Sequence, residues 1–266
     1  MPESAANSEG VRERFSTEIT PLVYDLQWKP HGPDVAFWVE WCLEVGDPVL
    51  ELGCGNGRVS IPLARAGLQV VGVDMYAPML AAAHKRLAAE PGEVRQRVRL
   101  EQGDMREFDP GIEMGCAVIP ANTFSVLLTL EDQERTLACI RSRLKPSGRL
   151  AFDLRLFATD WLKGRHETEP LRRTSADGGV DFTEERVFEF DPDRRVISGT
   201  NVYTFHKPEG LGRVVERVSG RVLSQAEVEE VLQGSGFVVE AVWGDHDRTP
   251  YSADSHQMIF VARTAG

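Results

Sequence analysis

Between residues 48 and 74 the chain reads PVLELGCGNGRVSIPLARAGLQVVGVD, and no other stretch restricts the possible folds as much. Val49-Leu50-Glu51-Leu52 is an apolar run of the length of a buried strand. Gly53, Gly55 and Gly57 follow, where positive φ and the lack of a Cβ let a ligand lie directly against backbone. A helix is predicted to open there, its free N–H groups at residues 56–59 facing a bound anionic group such as a carboxylate or phosphate. Pro62 falls in the first turns of that helix, where a missing N–H costs least. The pattern of strand, glycine turn, helix and second strand describes a nucleotide cradle.

Asp74 closes the apolar strand Val70-Val71-Gly72-Val73, about 20 residues beyond the glycines, where dinucleotide-binding folds place the acid that grips a ribose diol. The dinucleotide fingerprint G-x-G-x-x-G would require glycine at the position of Arg58, which disfavours a nicotinamide-dependent oxidoreductase. The turn is G-x-G-x-G instead. Preceded by Glu51, it resembles motif I of the class I S-adenosylmethionine-dependent methyltransferases, E-x-G-x-G-x-G, without a substitution.

That resemblance implies a Rossmann-like α/β fold, a seven-stranded sheet with an antiparallel last strand, and S-adenosylmethionine as cofactor with S-adenosylhomocysteine as product. It implies cofactor contacts from Glu51, Gly53, Cys54, Gly55, Asn56, Gly57 and Arg58, and a ribose contact from Asp74. Met75 and Met79, just beyond the ribose acid, would pack against the adenine, although methionines at helix starts also serve as ordinary core filler. Gly103-Asp104-Met105 resembles the third motif, with Asp104 accepting from the adenine amine; a cap or turn role is its other reading. Pro120-Ala121-Asn122 follows the strand at 116–119, at the carboxyl-end edge where open α/β sheets bind ligands, and would face the sulfonium. This loop lacks the N-P-P-Y type of sequence used on nucleic-acid bases. LKPSGRLAFDL at 144–154 resembles the family's L-x-P-G-G-x-L turn, with serine for the first glycine.

The remaining chain is read by periodicity. Phe15, Ile19, Leu22, Val23 and Leu26 recur at helical spacing, interrupted by Pro21, and suggest a lid-like arm. Tyr24 lies on it; the family often uses an N-terminal tyrosine over the methionine end of the cofactor, and a packed aromatic is the alternative. Residues 34–43 form a second helix, and the alanine-rich segment from Pro78 to Ala89 a third. Residues 131–144 make a helix and residues 149–154 a fifth strand. Residues 180–190 and 196–205 alternate around the turn Asp191-Pro192-Asp193-Arg194, with 213–223 able to pair as a third strand. Ser224 and Glu227 form a capping box, and strands at 237–243 and 258–262 complete the sheet. The expected organisation is therefore a helical arm at 1–45, a core at 46–155, an antiparallel insertion at 156–223 serving as substrate wall or dimer surface, and a C-terminal return at 224–266.

Composition limits the partners. A chain of 266 residues with 42% hydrophobic content can bury roughly 70–75% of its unfolded surface. Its net charge of −11, with no basic run longer than a pair, would repel a phosphate backbone, so nucleic acid is not expected as a partner. Cys42, Cys54, Cys116 and Cys139 show neither C-x-x-C pairing nor metal spacing, which argues against disulfides and zinc and fits a reduced cytoplasm. No apolar run reaches membrane-spanning length, and residues 1–10 are polar and read as disordered.

The expected acceptor is a small, apolar or cationic molecule, with Trp28, Trp161 and Phe182 available as walls. Any acid–base residue should sit in the loop GDHDRTPYSADSH at 244–256, which carries His246, Asp247, Tyr251 and His256 and should open beside the cofactor. Their other reading is a set of solvated loop residues. A non-catalytic cofactor-binding regulator or partner subunit stands as the alternative function.

Overall fold

The structure is a computed structural model and describes residues 11–13, 18–28 and 32–265. Residues 1–10 and Phe15 lie outside the described residues. In chain order the elements begin with β1 (Val11–Glu13), α1 (Thr20–Gln27), α2 (Pro33–Val45), β2 (Val49–Leu52), α3 (Ser60–Arg65), β3 (Val70–Asp74) and α4 (Ala77–Ala88). There follow α5 (Gly92–Arg95), β4 (Val98–Gln102), β5 (Met114–Ile119), α6 (Leu130–Arg143), β6 (Leu144–Arg155), β7 (Arg165–Glu167), β8 (Leu171–Thr174) and β9 (Asp181–Asp191). The chain ends with β10 (Val196–Lys207), β11 (Arg213–Arg221), α7 (Gln225–Gly234), β12 (Phe237–Trp243) and β13 (Gln257–Thr264).

Seven strands form one sheet in the order β12-β13-β6-β5-β2-β3-β4. The pairings β2–β3, β2–β5, β3–β4 and β5–β6 are parallel, whereas β13 runs antiparallel to both β6 and β12. Side chains alternate between two apolar layers, because successive Cβ atoms leave a strand on opposite faces. One face carries Leu50, Leu52, Val71, Val73, Ile119, Phe152 and Phe260, which pack with α6 and α7 residues such as Leu137, Val228 and Leu232. The other carries Val49, Val70, Cys116, Val118, Ala151 and Ile259, covered by Trp38 and Trp41 of α2 and Leu63 of α3. Phe124, Phe152 and Phe260 stack in a row with centroids 4.6 and 5.4 Å apart. Burying each such ring is worth roughly 1.5–3 kcal/mol, so the switch point between β2 and β5 stands on a rigid floor.

The second sheet has the order β1-β11-β10-β9-β7, with β8 also pairing with β9. Its three long strands match the expected antiparallel insertion. The arm contributes more than helix: β1 adds to β11 in parallel, a pairing with no periodic signal in three residues. Pro21 does not interrupt α1 but stands at its start, where its fixed φ suits the first turn. Val23 packs into Phe182, Tyr203, Phe205 and Val214 of the second sheet. Beneath α1, the buried Glu184 accepts from Gln27 at 3.2 Å and pairs with Arg173 at 2.6 Å, while Glu216 accepts from Thr20 Oγ1 at 2.6 Å.

One local expectation is adjusted and another is met. The 145–148 turn is looped out within β6, since Met114 pairs with Leu144 but Cys116 pairs with Arg149. The capping box forms as expected, with Ser224 accepting from the Glu227 amide and Glu227 accepting from the Ser224 amide at 2.8 Å.

Candidate active site

The glycine turn sits where β2 leaves the sheet. The Gly53 and Cys54 amides both donate to the Val73 carbonyl, at 2.8 and 3.0 Å, which folds the chain over the end of β3. Gly53 has φ +73°, and a Cβ there would stand 2.4 Å from Thr123 Cγ2, so the turn can approach the 121–123 segment only as glycine. Gly55 has φ +54° and rests on Met79. Asp74, 8% exposed, accepts from the Gly55 amide through Oδ2 and from the Tyr76 amide through Oδ1, each at 2.8 Å. Burial raises its pKa despite those bonds. The ribose acid of the sequence reading is thus also the peg that holds the turn.

Behind the turn, the wholly buried Glu51 accepts from the Ser60 hydroxyl. Burial pushes its carboxyl up to about 7, against the opposing influence of Ser60 and Arg58. The Cys54 thiol is buried and raised likewise. The helix opens at Ser60, later than the spacing suggests, because the Gly57 amide closes a tight turn onto Cys54 instead. Met79 is buried, whereas Met75 is half exposed.

Asn56 and Arg58 reach back to the arm. Asn56 Nδ2 donates to Asp25 Oδ1 at 2.7 Å, and Arg86 pairs with the same carboxylate. Arg58 is buried, pairs with Asp34 at 2.6 Å and lies 5.4 Å above the Trp28 ring, which itself stacks with Tyr24 at 6.0 Å. Asp34 and Tyr24 hold its guanidinium charged against the cost of burial. At the far side, Asp104 is held below the usual carboxylate range by Arg106, which bridges to Asp132 at 2.9 Å. Gly103 is pressed against Phe108, where a Cβ would come within 2.7 Å, and Met105 packs on the sheet's main core.

Past β5 the chain turns through Ala121 and Asn122, both in the left-handed region at φ 62° and 60°. Neither is glycine, and each such residue costs about 1–3 kcal/mol unless its surroundings hold it. Asp153, at the end of β6, does the holding: its carboxylate accepts from both amides, that of Asn122 at 2.9 Å through Oδ2. Asn122 Oδ1 in turn accepts from the Arg155 amide at 2.9 Å. Asp153 is 7% exposed, and burial pushes it up to about 6. Its second oxygen, Oδ1, is buried without a hydrogen-bond partner among the described residues.

Around Asp153 opens a cleft of about 180 Å³, partly open to solvent, lined by Trp28, Pro33, Asp34, Ala121, Asn122, His246, His256 and Gln257 among others. The hairpin at 244–256 does open on this carboxyl-end face. His246 Nδ1 lies 3.0 Å from Gln257 Nε2, its Nε2 is buried without a partner among the described residues, and burial lowers its pKa. His256 lines the same cleft from an exposed position, whereas Tyr251 packs on the main core away from it. Trp161 stacks on His166, and Phe182 is buried in the second sheet, so of the three expected aromatic walls Trp28 alone lines this cleft. Asp153 and Asp34 carried no expectation. For Asp153 the signal existed, since LAFD repeats the pattern of VVGVD, an acid closing an apolar strand.

The residues present fit the expected cofactor: bare positive-φ backbone at Gly53, Gly55 and Gly57 lies beside the Asp74 carboxylate and the buried Asn56 Oδ1, which has no partner among the described residues. Residues 49–148 match the family described as "Methyltransferase domain". The chain is 28% identical to the cypemycin N-terminal methyltransferase of a Streptomyces species over 81% of its own length and 82% of that protein. In fold it is similar to the methyltransferase CcbJ of Streptomyces caelestis, with a TM-score of 0.79, 24% identity, and 96% and 99% of the two chains covered. It is similar in the same way to CalS10 of Micromonospora echinaspora, an amino pentose methyltransferase, with a TM-score of 0.69, 19% identity, and 92% and 96% covered. Sheet order, glycine turn and the match over residues 49–148 are similar to those of the class I S-adenosylmethionine-dependent methyltransferases. The chain is a methyltransferase, and S-adenosylmethionine is its methyl donor.

Proposed function

We propose that the chain methylates an amine or hydroxyl of a small metabolite or natural product, by in-line displacement, in the cleft beside Asp153. The observation that carries this reading is the recess itself, about 180 Å³ in volume and lined by Trp28, Asp34, Asn122, Asp153 and His246, in which a few convergent polar groups stand beside an aromatic face, the makeup of a small-molecule site. The net charge of −11 works against a nucleic-acid acceptor. The relatives' names agree with it, one acting at the N-terminus of cypemycin and another on an amino pentose.

In this reading the cofactor rests on Gly53, Cys54, Gly55, Asn56 and Gly57, with Asp74 at the ribose, and Met75, Met79, Gly103, Asp104 and Met105 around the base. Glu51 and Arg58 support the turn from behind, Tyr24 covers it, and Pro120, Ala121 and Asn122 border the reacting end. Bound there, it supplies a methyl group already activated for nucleophilic attack. The chain's task is then to align an acceptor, an effect worth up to ~7–11 kcal/mol in well-oriented systems, and to take its proton. His246, kept neutral by burial, and His256 stand at the cleft to do the latter for a hydroxyl; Tyr251 would act only after a rearrangement of the hairpin.

Incubation with methyl-labelled S-adenosylmethionine and a low-molecular-mass metabolite extract, with RNA and protein as parallel acceptors, tests the reading. Label in the metabolites supports it. Label in RNA or protein alone overturns it.

A further inference from the structure

Resting on the small-molecule reading above, we infer that the acceptor is an amine that enters as its ammonium ion, and that Asp153 Oδ1 both binds the N–H and takes its proton before methyl transfer. Three observations carry this. Asp153 is a built feature of the cleft, 7% exposed, with Oδ2 fixed by the Asn122 amide at 2.9 Å. Its Oδ1 is buried at the cleft with no partner among the described residues. A buried carboxylate oxygen left unpaired is costly, and a ligand N–H donor removes that cost, whereas a hydroxyl ligand does so without meeting the charge.

The other charges at the cleft do not compete for that role. Asp34 is committed to Arg58 at 2.6 Å, so the two form a neutral pair on the wall. Arg155 reaches the cleft from an exposed position, and His246 is kept neutral by burial. Among the described residues lining the cleft, Asp153 is therefore the buried negative group without an ion-pair partner. The Trp28 face beside it suits a cation as well as an apolar ring.

The proton balance is simple. The ammonium gives one proton to Asp153 Oδ1, which frees the nitrogen lone pair. That pair forms the N–C bond to the methyl carbon, the C–S bond breaks, and its electrons stay on sulfur. The methylated nitrogen leaves as an ammonium or, after a second proton loss to water, as the free amine. Asp153 returns its proton to solvent when the cleft opens. Burial has raised its carboxyl to about 6, nearer to the range in which a proton can be accepted and released.

The test fractionates the labelled metabolites of the preceding experiment on a cation exchanger. Label retained on the exchanger is expected; label confined to the unretained fraction overturns the inference and leaves the small-molecule reading standing. No label in any metabolite fraction, with S-adenosylhomocysteine still bound by calorimetry, overturns both. Asp153→Asn keeps an acceptor for the Asn122 amide and removes the charge. It should lower kcat/KM for the retained fraction by about 100-fold and leave S-adenosylhomocysteine affinity within about twofold. A decrease of less than about threefold in a folded variant overturns the inference. Should the variant not fold, the partition of label made by the unaltered enzyme decides alone.

Discussion

Two aspartates end two strands of the same sheet, and they are spent differently. Asp74, closing β3, gives one oxygen to the Gly55 amide and the other to the Tyr76 amide, so it shapes the backbone on both sides. Asp153, near the end of β6, gives Oδ2 to the strained 121–122 turn and keeps Oδ1 without a partner among the described residues. Both are buried, and burial raises both. The difference lies in what surrounds them. The Gly55 and Tyr76 amides meet Asp74 from two separate segments, whereas the amides that meet Asp153 both come from the 121–122 turn. A carboxylate satisfied twice organises a cradle; one satisfied once keeps an oxygen for a ligand.

The sharpest way to break that comparison is to delete the cradle acid. Asp74→Ala should weaken S-adenosylhomocysteine by roughly 10–150-fold, since a hydrogen bond to a charged group is worth ~1.5–3 kcal/mol. Titration calorimetry reads it directly, and unchanged affinity would remove Asp74 from the donor site. Asp153→Asn under the same titration should move little, and a loss equal to that of Asp74→Ala would erase the distinction between the two strand ends.

A second measurement concerns the acid behind the cradle. Glu51 moves from an ordinary 4.5 to about 7 on folding. A raised folded-state value means stability fully present below the unfolded pKa and lost as pH rises through the folded one. The contribution is therefore complete below about pH 4.5 and gone above about pH 7. Glu51→Gln should flatten that decline by roughly 2–3 kcal/mol. Urea unfolding of both proteins at pH 5 and pH 7.5 checks it; parallel pH dependences would show that the carboxyl titrates normally.

Gly53→Ala follows in size. The new Cβ meets Thr123 Cγ2 at 2.4 Å in a left-handed backbone, which should cost about 1–3 kcal/mol. Because Thr123 adjoins the Asn122 turn, cofactor affinity and the cleft should suffer together. A wild-type unfolding midpoint would mean that the two turns can separate.

His246→Ala is expected to do least. With an amine acceptor and Asp153 taking the proton, turnover should fall by less than about tenfold. Loss of a hydroxyl's general base would cost ~10²–10⁴-fold. Steady-state kinetics therefore separates the histidine side of the cleft from the aspartate side.

Much of the fold was legible because local rules and tertiary packing agree. Val49-Leu50-Glu51-Leu52 and Val70-Val71-Gly72-Val73 are apolar runs that only a sheet covered on both faces can hold, and the glycines between them can have few other purposes. The hairpin at 244–256 was placed correctly by topology, since parallel and antiparallel neighbours fix which end of the sheet a connection reaches. β1 was not legible: three residues carry no period, and their pairing with β11 lies some two hundred residues away in sequence.

The sequence by itself determined the class and the methyl donor, because these depend on glycines, an acid and a strand pattern within one continuous stretch. His246 and His256, read there as candidate acid–base residues, line the cleft beside Asp153. Only the tertiary structure decided that Asn56 and Arg58 hold the arm through Asp25 and Asp34, that Tyr251 faces the core, and that Asp153 keeps one oxygen without a partner among the described residues. Whether a polar atom is free depends on every group that converges on it. Those groups come from β5, β6, α2 and the last hairpin, segments whose proximity no local pattern records.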